Sequence, residues 1–194
     1  MERLWFIWVA LILCSGIVRK ADTSDARILR LALIATLAAD FLLEFIENPL
    51  YGLCAFCCVQ MIYCLRYGGV RMCGILAGLW SAMTPLLLLF NTELLFIVAA
   101  LYAVAFICSL SSAFAAKKRY SYTTWMFVVC GMSLFACCDI SVGINYLIPG
   151  SAYPLLWIFY LPGQALLSVS GMRQSDESCI ESRDIIMHED DLIC

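Results

Sequence analysis

Apolar residues run along this chain in seven blocks separated by short polar joints, and the blocks approach the roughly 17 to 25 residues that a helix needs to cross a bilayer. They fall near 4–18, 28–46, 51–66, 71–90, 93–115, 122–148 and 152–171; the first is short and the sixth long. The joints carry the chemistry of helix ends: Glu47-Asn48-Pro49, Tyr67-Gly68-Gly69, Asn91-Thr92 and Pro149-Gly150-Ser151. None is long enough for a soluble domain. The pattern predicts an all-α polytopic transmembrane helix bundle over residues 1–171. Beyond Gly171 it stops, and Asp176, Glu177, Glu181, Asp184, Glu189, Asp190 and Asp191 outnumber Arg173 and Arg183. That composition predicts a solvated, disordered cytoplasmic tail over 172–194. The opening stretch has the outline of a signal peptide, but no small-x-small site precedes Arg19 and Lys20, so it reads as the first span.

Composition agrees: 63% of the residues are apolar and 14% charged, and the mean hydropathy is +0.90. So little polar surface excludes a soluble globular domain. Charge then sets orientation. Arg19, Lys20, Arg27 and Arg30 border the first joint, Arg66 and Arg71 the third, Lys117, Lys118 and Arg119 the fifth, and Arg173 and Arg183 lie in the tail, so eleven of the 12 basic residues share one side. Only Arg3 lies opposite. The positive-inside rule therefore predicts an outside N-terminus, seven spans and a cytoplasmic C-terminus.

Against this background three acids stand out. Asp40 and Glu44 lie one helical turn apart in the second block, within Ile34-Ala-Thr-Leu-Ala-Ala-Asp40-Phe-Leu-Leu-Glu44, and Asp139 lies in the sixth. An acid at mid-depth costs about 2.5 to 3.5 kcal/mol on the insertion scale, which makes an intramembrane carboxylate a candidate functional group. Other polar groups recur at helix-face spacing: Thr36 with Asp40 and Glu44, Gln60 with Tyr63, and Tyr160 with Gln164 and Ser168. At about 1.5 Å per residue, Asp40 and Tyr160 lie about 10 Å below the outer helix ends, Asp139 about 9 to 15 Å, and Gln60 and Gln164 about 15 Å. The groups converge in the outer half of the bilayer. Taken singly, Gln60, Tyr63 and Ser168 suit interhelical hydrogen bonding as well as they suit function. Gly74-x-x-x-Gly78 suits close helix packing, and Pro162-Gly163 suits a kink beside Gln164.

Other chemistries are excluded. The 12 cysteines include Cys54-x-x-Cys57-Cys58 and Cys137-Cys138, but thiols in apolar helices behave as small hydrophobes, and adjacent helical cysteines point about 100° apart. No metal site and no cofactor is expected. The single histidine, His188, is in the tail, which removes a Ser-His-Asp or Cys-His nucleophile and a zincin motif from the spans. Lys20, Lys117 and Lys118 all lie in joints, so no span offers a lysine for a retinal Schiff base.

Three segments carry a likeness to a known family: Ala39-Asp40-Phe41-Leu42-Leu43; Gly52-x-x-x-Phe56-x-x-x-Gln60-x-x-Tyr63; and Gly131-x-x-x-Phe135-x-x-Cys138-Asp139 followed by Tyr160-x-x-x-Gln164. In order and spacing the chain resembles the YhhN-like membrane proteins, the lysoplasmalogenase family. It departs from the family pattern at Gln60, where histidine is usual, and at Cys138, where serine is frequent. Family members are commonly described with eight spans, one more than is read here.

The resemblance implies hydrolysis of the vinyl ether of a lysophospholipid, the lysoplasmalogen, to a fatty aldehyde and a glycerophospho-alcohol. The residues suit that reaction independently. Protonating the vinyl β-carbon makes an oxocarbenium ion that water captures, which needs a carboxylic acid, a carboxylate and a placed water. On this reading Asp139 is the general acid and Asp40 faces the cation and activates water, though the two roles are interchangeable. Glu44 tunes the pair, Gln60 and Gln164 orient water or the ether oxygen, Tyr160 donates a hydrogen bond, and Tyr63 supports them. The expected partners are this lipid and the bilayer, with no nucleic acid. Two other classes compete: a proton-coupled carrier or channel relaying protons through the same acids, and a scaffold whose acidic tail recruits a basic protein.

Overall fold

Three of the helices begin where a side chain satisfies a free amide. In the computed structural model, Thr23 Oγ1 accepts from Ala26 N at 3.1 Å, Asn48 Oδ1 from Leu50 N at 3.0 Å with Pro49 following, and Ser121 Oγ from Thr124 N at 3.3 Å. These caps stand at the predicted joints. The structure describes residues 2–18, 23–46, 48–90, 93–149 and 155–171, with side chains from residue 7 onward. The elements are α1 (Glu2–Val18), α2 (Ser24–Phe45), α3 (Pro49–Leu89), α4 (Leu94–Ala115), a 3-10 turn (Ala116–Lys118), α5 (Tyr122–Leu147) and α6 (Leu155–Gly171). No strand occurs among the described residues. The tail expected at 172–194 lies outside them, as does the Gly150-Ser151 part of the last joint.

Three helices, α3, α4 continued through its 3-10 turn, and α5, are long and apolar enough to cross a membrane. α1 and α6 are apolar but shorter, and α2 carries Arg30, Asp40 and Glu44 within its apolar stretch.

Where the sequence predicts two spans joined at Tyr67-Gly68-Gly69, the structure has one 41-residue element interrupted at Gly69, whose φ of 69° and ψ of −170° are open to glycine alone. The element doubles back there. Cys73 Sγ comes within 3.8 Å of Met61 O, although a straight helix would part positions twelve residues apart by about 18 Å. Cys64 from the first arm and Leu76 from the second accordingly share one buried cluster with Ala105 and Cys108 of α4. Trp80 Nε1 ties the second arm to Leu101 O of α4 at 2.9 Å.

Consecutive helices pack side by side, α1 on α2, α2 on α3, α3 on α4 and α4 on α5. α6 fills the middle. Gly163 and Gly131 bring α6 and α5 so close that a Cβ on Gly131 would lie 3.1 Å from Gly163 O. At Pro162-Gly163, where a kink is expected, the glycine serves this close approach. Gly16 and Ser168 bring α1 to α6, and Leu29 and Gly171 bring α2 to it. Gly74 and Gly78 behave otherwise than expected: both are exposed, and a Cβ on either would meet nothing within 4 Å. That face packs against none of the described residues.

Candidate functional site

The two aspartates of the predicted site each receive a phenol from another helix. Tyr160 Oη of α6 lies 2.7 and 2.6 Å from Asp40 Oδ1 and Oδ2 of α2, so one hydroxyl bridges both carboxylate oxygens. Tyr102 Oη of α4 donates to Asp139 Oδ2 of α5 at 2.7 Å. These distances are normal for a hydroxyl donating to a carboxyl oxygen.

Packed aromatic rings join the two pairs. The Phe135 ring lies 5.7 Å from Tyr160, 6.0 Å from Phe56 and 5.5 Å from Phe106, all edge to face. Tyr102 closes the set at 6.2 Å from Phe56 and 6.0 Å from Phe106. The helical repeat explains the assembly: Phe135 and Asp139, Tyr102 and Phe106, and Phe56 and Gln60 are each four apart, and so share a face. Five helices thus deliver two acids, two phenols and three phenylalanines to one site.

The glutamines, equivalent in sequence, differ in structure. Gln60 Oε1 accepts from Ser109 Oγ at 2.6 Å, and its Nε2 approaches Tyr102 Oη at 3.5 Å. Ser109, Gln60 and Tyr102 thus form a chain ending on Asp139. Gln164, fully buried one turn from Tyr160, has no partner at either end of its amide among the described residues. Tyr63 stacks on Tyr67 at 5.8 Å; its hydroxyl lies beside Thr36 without a hydrogen bond of normal geometry. Ser168 Oγ, buried against α1, is likewise unpartnered. Glu44 is half-buried and outside this network.

Two features escaped the sequence reading. Tyr102 sits in a block whose one acid, Glu93, stands at its very start, so the aromatic reads as lining; its i, i+4, i+7 spacing to Phe106 and Ser109 was the available signal. The second is a buried ion pair at the other end of the bundle. Arg66 had counted only as a joint-flanking cation, yet it is wholly buried, and its Nε and Nη2 donate to Asp25 Oδ2 at 3.0 and 2.9 Å. Arg66 Nη1 reaches Tyr67 Oη at 3.2 Å and Ser170 Oγ at 3.3 Å, while Tyr120 Oη donates to Asp25 Oδ1 at 2.6 Å. Burial pushes the Tyr120 phenol up, against the pull of Arg66. Among the described residues this is the one ion pair, and no three His, Cys, Asp or Glu side chains form a metal-binding group.

Apolar helices enclosing phenol-held carboxylates define the class, a helical membrane protein with an internal acidic site. The chain belongs to the YhhN family, whose model matches residues 2–171 and so spans every segment that carried the resemblance. No curated protein and no solved structure matches it significantly.

Proposed function

We propose that this protein is a membrane-embedded hydrolase that cleaves the vinyl ether of lysoplasmalogens. One observation carries the reading: two carboxylates, each held by a tyrosine, join through packed aromatic rings. Membership of a family that includes lysoplasmalogenases supports it.

The geometry supports a course for this reaction. Tyr102 engages a single oxygen of Asp139, which leaves the other to carry a transferable proton. Tyr160 bridges both oxygens of Asp40, an arrangement that suits an ionised acceptor. Asp139 gives its proton to the vinyl β-carbon, and the ether oxygen's lone pair makes the oxocarbenium ion. The faces of the surrounding rings favour a cation, which Asp40 also stabilises. Water adds to the cation and yields its proton to Asp40. The hemiacetal then collapses: Asp40 returns the proton to the departing glycerol oxygen, Asp139 takes the hemiacetal hydroxyl proton, and aldehyde is released with both acids restored. Gln60 and Ser109 hold Tyr102, and through it Asp139, in position.

The chain crosses the membrane seven times with its N-terminus outside, the arms of α3 being the third and fourth spans. The test of function is incubation of purified protein with a vinyl-ether lysolipid and with its ester counterpart. Free aldehyde is expected from the first and no fatty acid from the second. A carrier would instead show flux in sealed vesicles that follows a pH gradient, without aldehyde, and that result would replace the hydrolase reading.

A further inference from the structure

Gln164 presents a donor and an acceptor to the interior of an apolar bundle, and no described residue engages either. A primary amide in such a place is costly unless something completes its hydrogen bonds. The helix register shows what surrounds it. Tyr160 meets Asp40, and Gly171 meets Leu29, so α2 and α6 run antiparallel in contact. Between those two contacts Thr36 stands level with Gln164, one turn from Asp40 as Gln164 is one turn from Tyr160. Tyr63 of α3 reaches the same level, because its hydroxyl lies beside Thr36. The next turn of α6 presents Ser168, also buried and unpartnered. Thr36 Oγ1 spends its own proton on Ala32 O at 2.8 Å and keeps its acceptor capacity.

We infer that Gln164, with Tyr63 and Ser168, forms an internal hydration site one helical turn below the Asp40–Tyr160 pair, and that this site supplies the water consumed in turnover. Water is the ligand that fits. It is small enough for a closely packed interior, offers two donors and two acceptors to a mixed set of orphaned groups, and is held where it has two to four polar partners. Gln60 differs in being engaged at both ends of its amide, by Ser109 and by Tyr102. The position also suits delivery: a water leaving Gln164 toward the carboxylates reaches Asp40, the base. The supply role rests on the hydrolase reading, whereas the hydration site does not.

The experiment is pulsed X-ray radiolysis of the full-length protein in lipid nanodiscs without lysolipid, in ¹⁸O water, with side-chain hydroxylation read by mass spectrometry. Tyr63 and Tyr67 form an internal comparison, since both are buried, but Tyr67 is hydrogen-bonded to Arg66. Tyr63 is expected to incorporate ¹⁸O at least tenfold faster than Tyr67, and Gln164→Leu to bring it down to the Tyr67 rate. Equal labelling of the two tyrosines in the wild-type protein would overturn the site, and that comparison requires no variant to fold. Undiminished Tyr63 labelling in Gln164→Leu would remove Gln164 as its anchor. Turnover separates the two ideas. Gln164→Leu should lower kcat at least tenfold with KM little changed. Tyr63 labelling without aldehyde from any vinyl-ether lysolipid would defeat the hydrolase reading and leave the hydration site standing; aldehyde release without labelling would do the reverse.

Discussion

A hydroxyl oriented on a carboxylate does different work from one that only fills space, and Tyr102 and Tyr160 provide the test at the scale of the residue. A hydrogen bond to a charged group contributes about 1.5 to 3 kcal/mol, so Tyr102→Phe and Tyr160→Phe should each cut aldehyde release roughly ten- to hundredfold. The rings, and the packing around Phe135, remain. Circular dichroism and gel filtration in detergent should match wild type; a Phe variant of undiminished activity would remove that tyrosine from the mechanism. The aspartates were legible in the sequence because an acid in an apolar helix is an outlier wherever it occurs. Tyr160 was legible through its spacing to Gln164. Tyr102 was not, because phenols are common in membrane helices and its partner is 37 positions away. Nor does any local pattern distinguish Gln60 from Gln164; only the arrival of Ser109 from α4 makes one of them engaged.

At the scale of the element, hydrophobic blocks and turn residues located the helices to within a few residues, since burial and capping are local properties. What they left open was how glycines would be used. Gly69 turns the chain because its φ is positive; Gly131 and Gly163 let two backbones meet, while Gly74 and Gly78, in a more recognisable motif, meet none of the described residues. The same letter serves three ends, and partners distant in sequence decide which. The return of α3 at Gly69 carries a topological prediction. If each arm is a span, the turn at Gly69 and the Lys117–Arg119 segment lie on one side of the membrane, with two crossings between them. Reporter fusions at the two positions should both give a cytoplasmic signal; opposite signals would mean that the second arm or α4 does not cross.

Across the molecule the polar groups of the described residues form two centres, the acidic site and the Arg66–Asp25 pair, and α6 reaches both, the first through Tyr160 and the second through Ser170. The ion pair ties α2, α3 and α6 together with the segment before α5. Removing one partner strands the other, at a cost of about 3 to 5 kcal/mol, whereas replacing both by apolar groups is often nearly neutral. Asp25→Asn should therefore lower the thermal unfolding midpoint in detergent clearly, and the double variant Asp25→Leu with Arg66→Met should recover most of the loss. Equal losses in both would show the pair to matter beyond mutual compensation. The acidic site makes the more consequential claim, that a carboxylic acid protonates the vinyl ether at carbon, and turnover in D₂O tests it directly. Aldehyde trapped as it forms and weighed by mass spectrometry should carry one deuterium on the carbon next to the carbonyl, and Asp139→Asn should abolish its release. Aldehyde without that deuterium, or release undiminished in Asp139→Asn, would contradict the account.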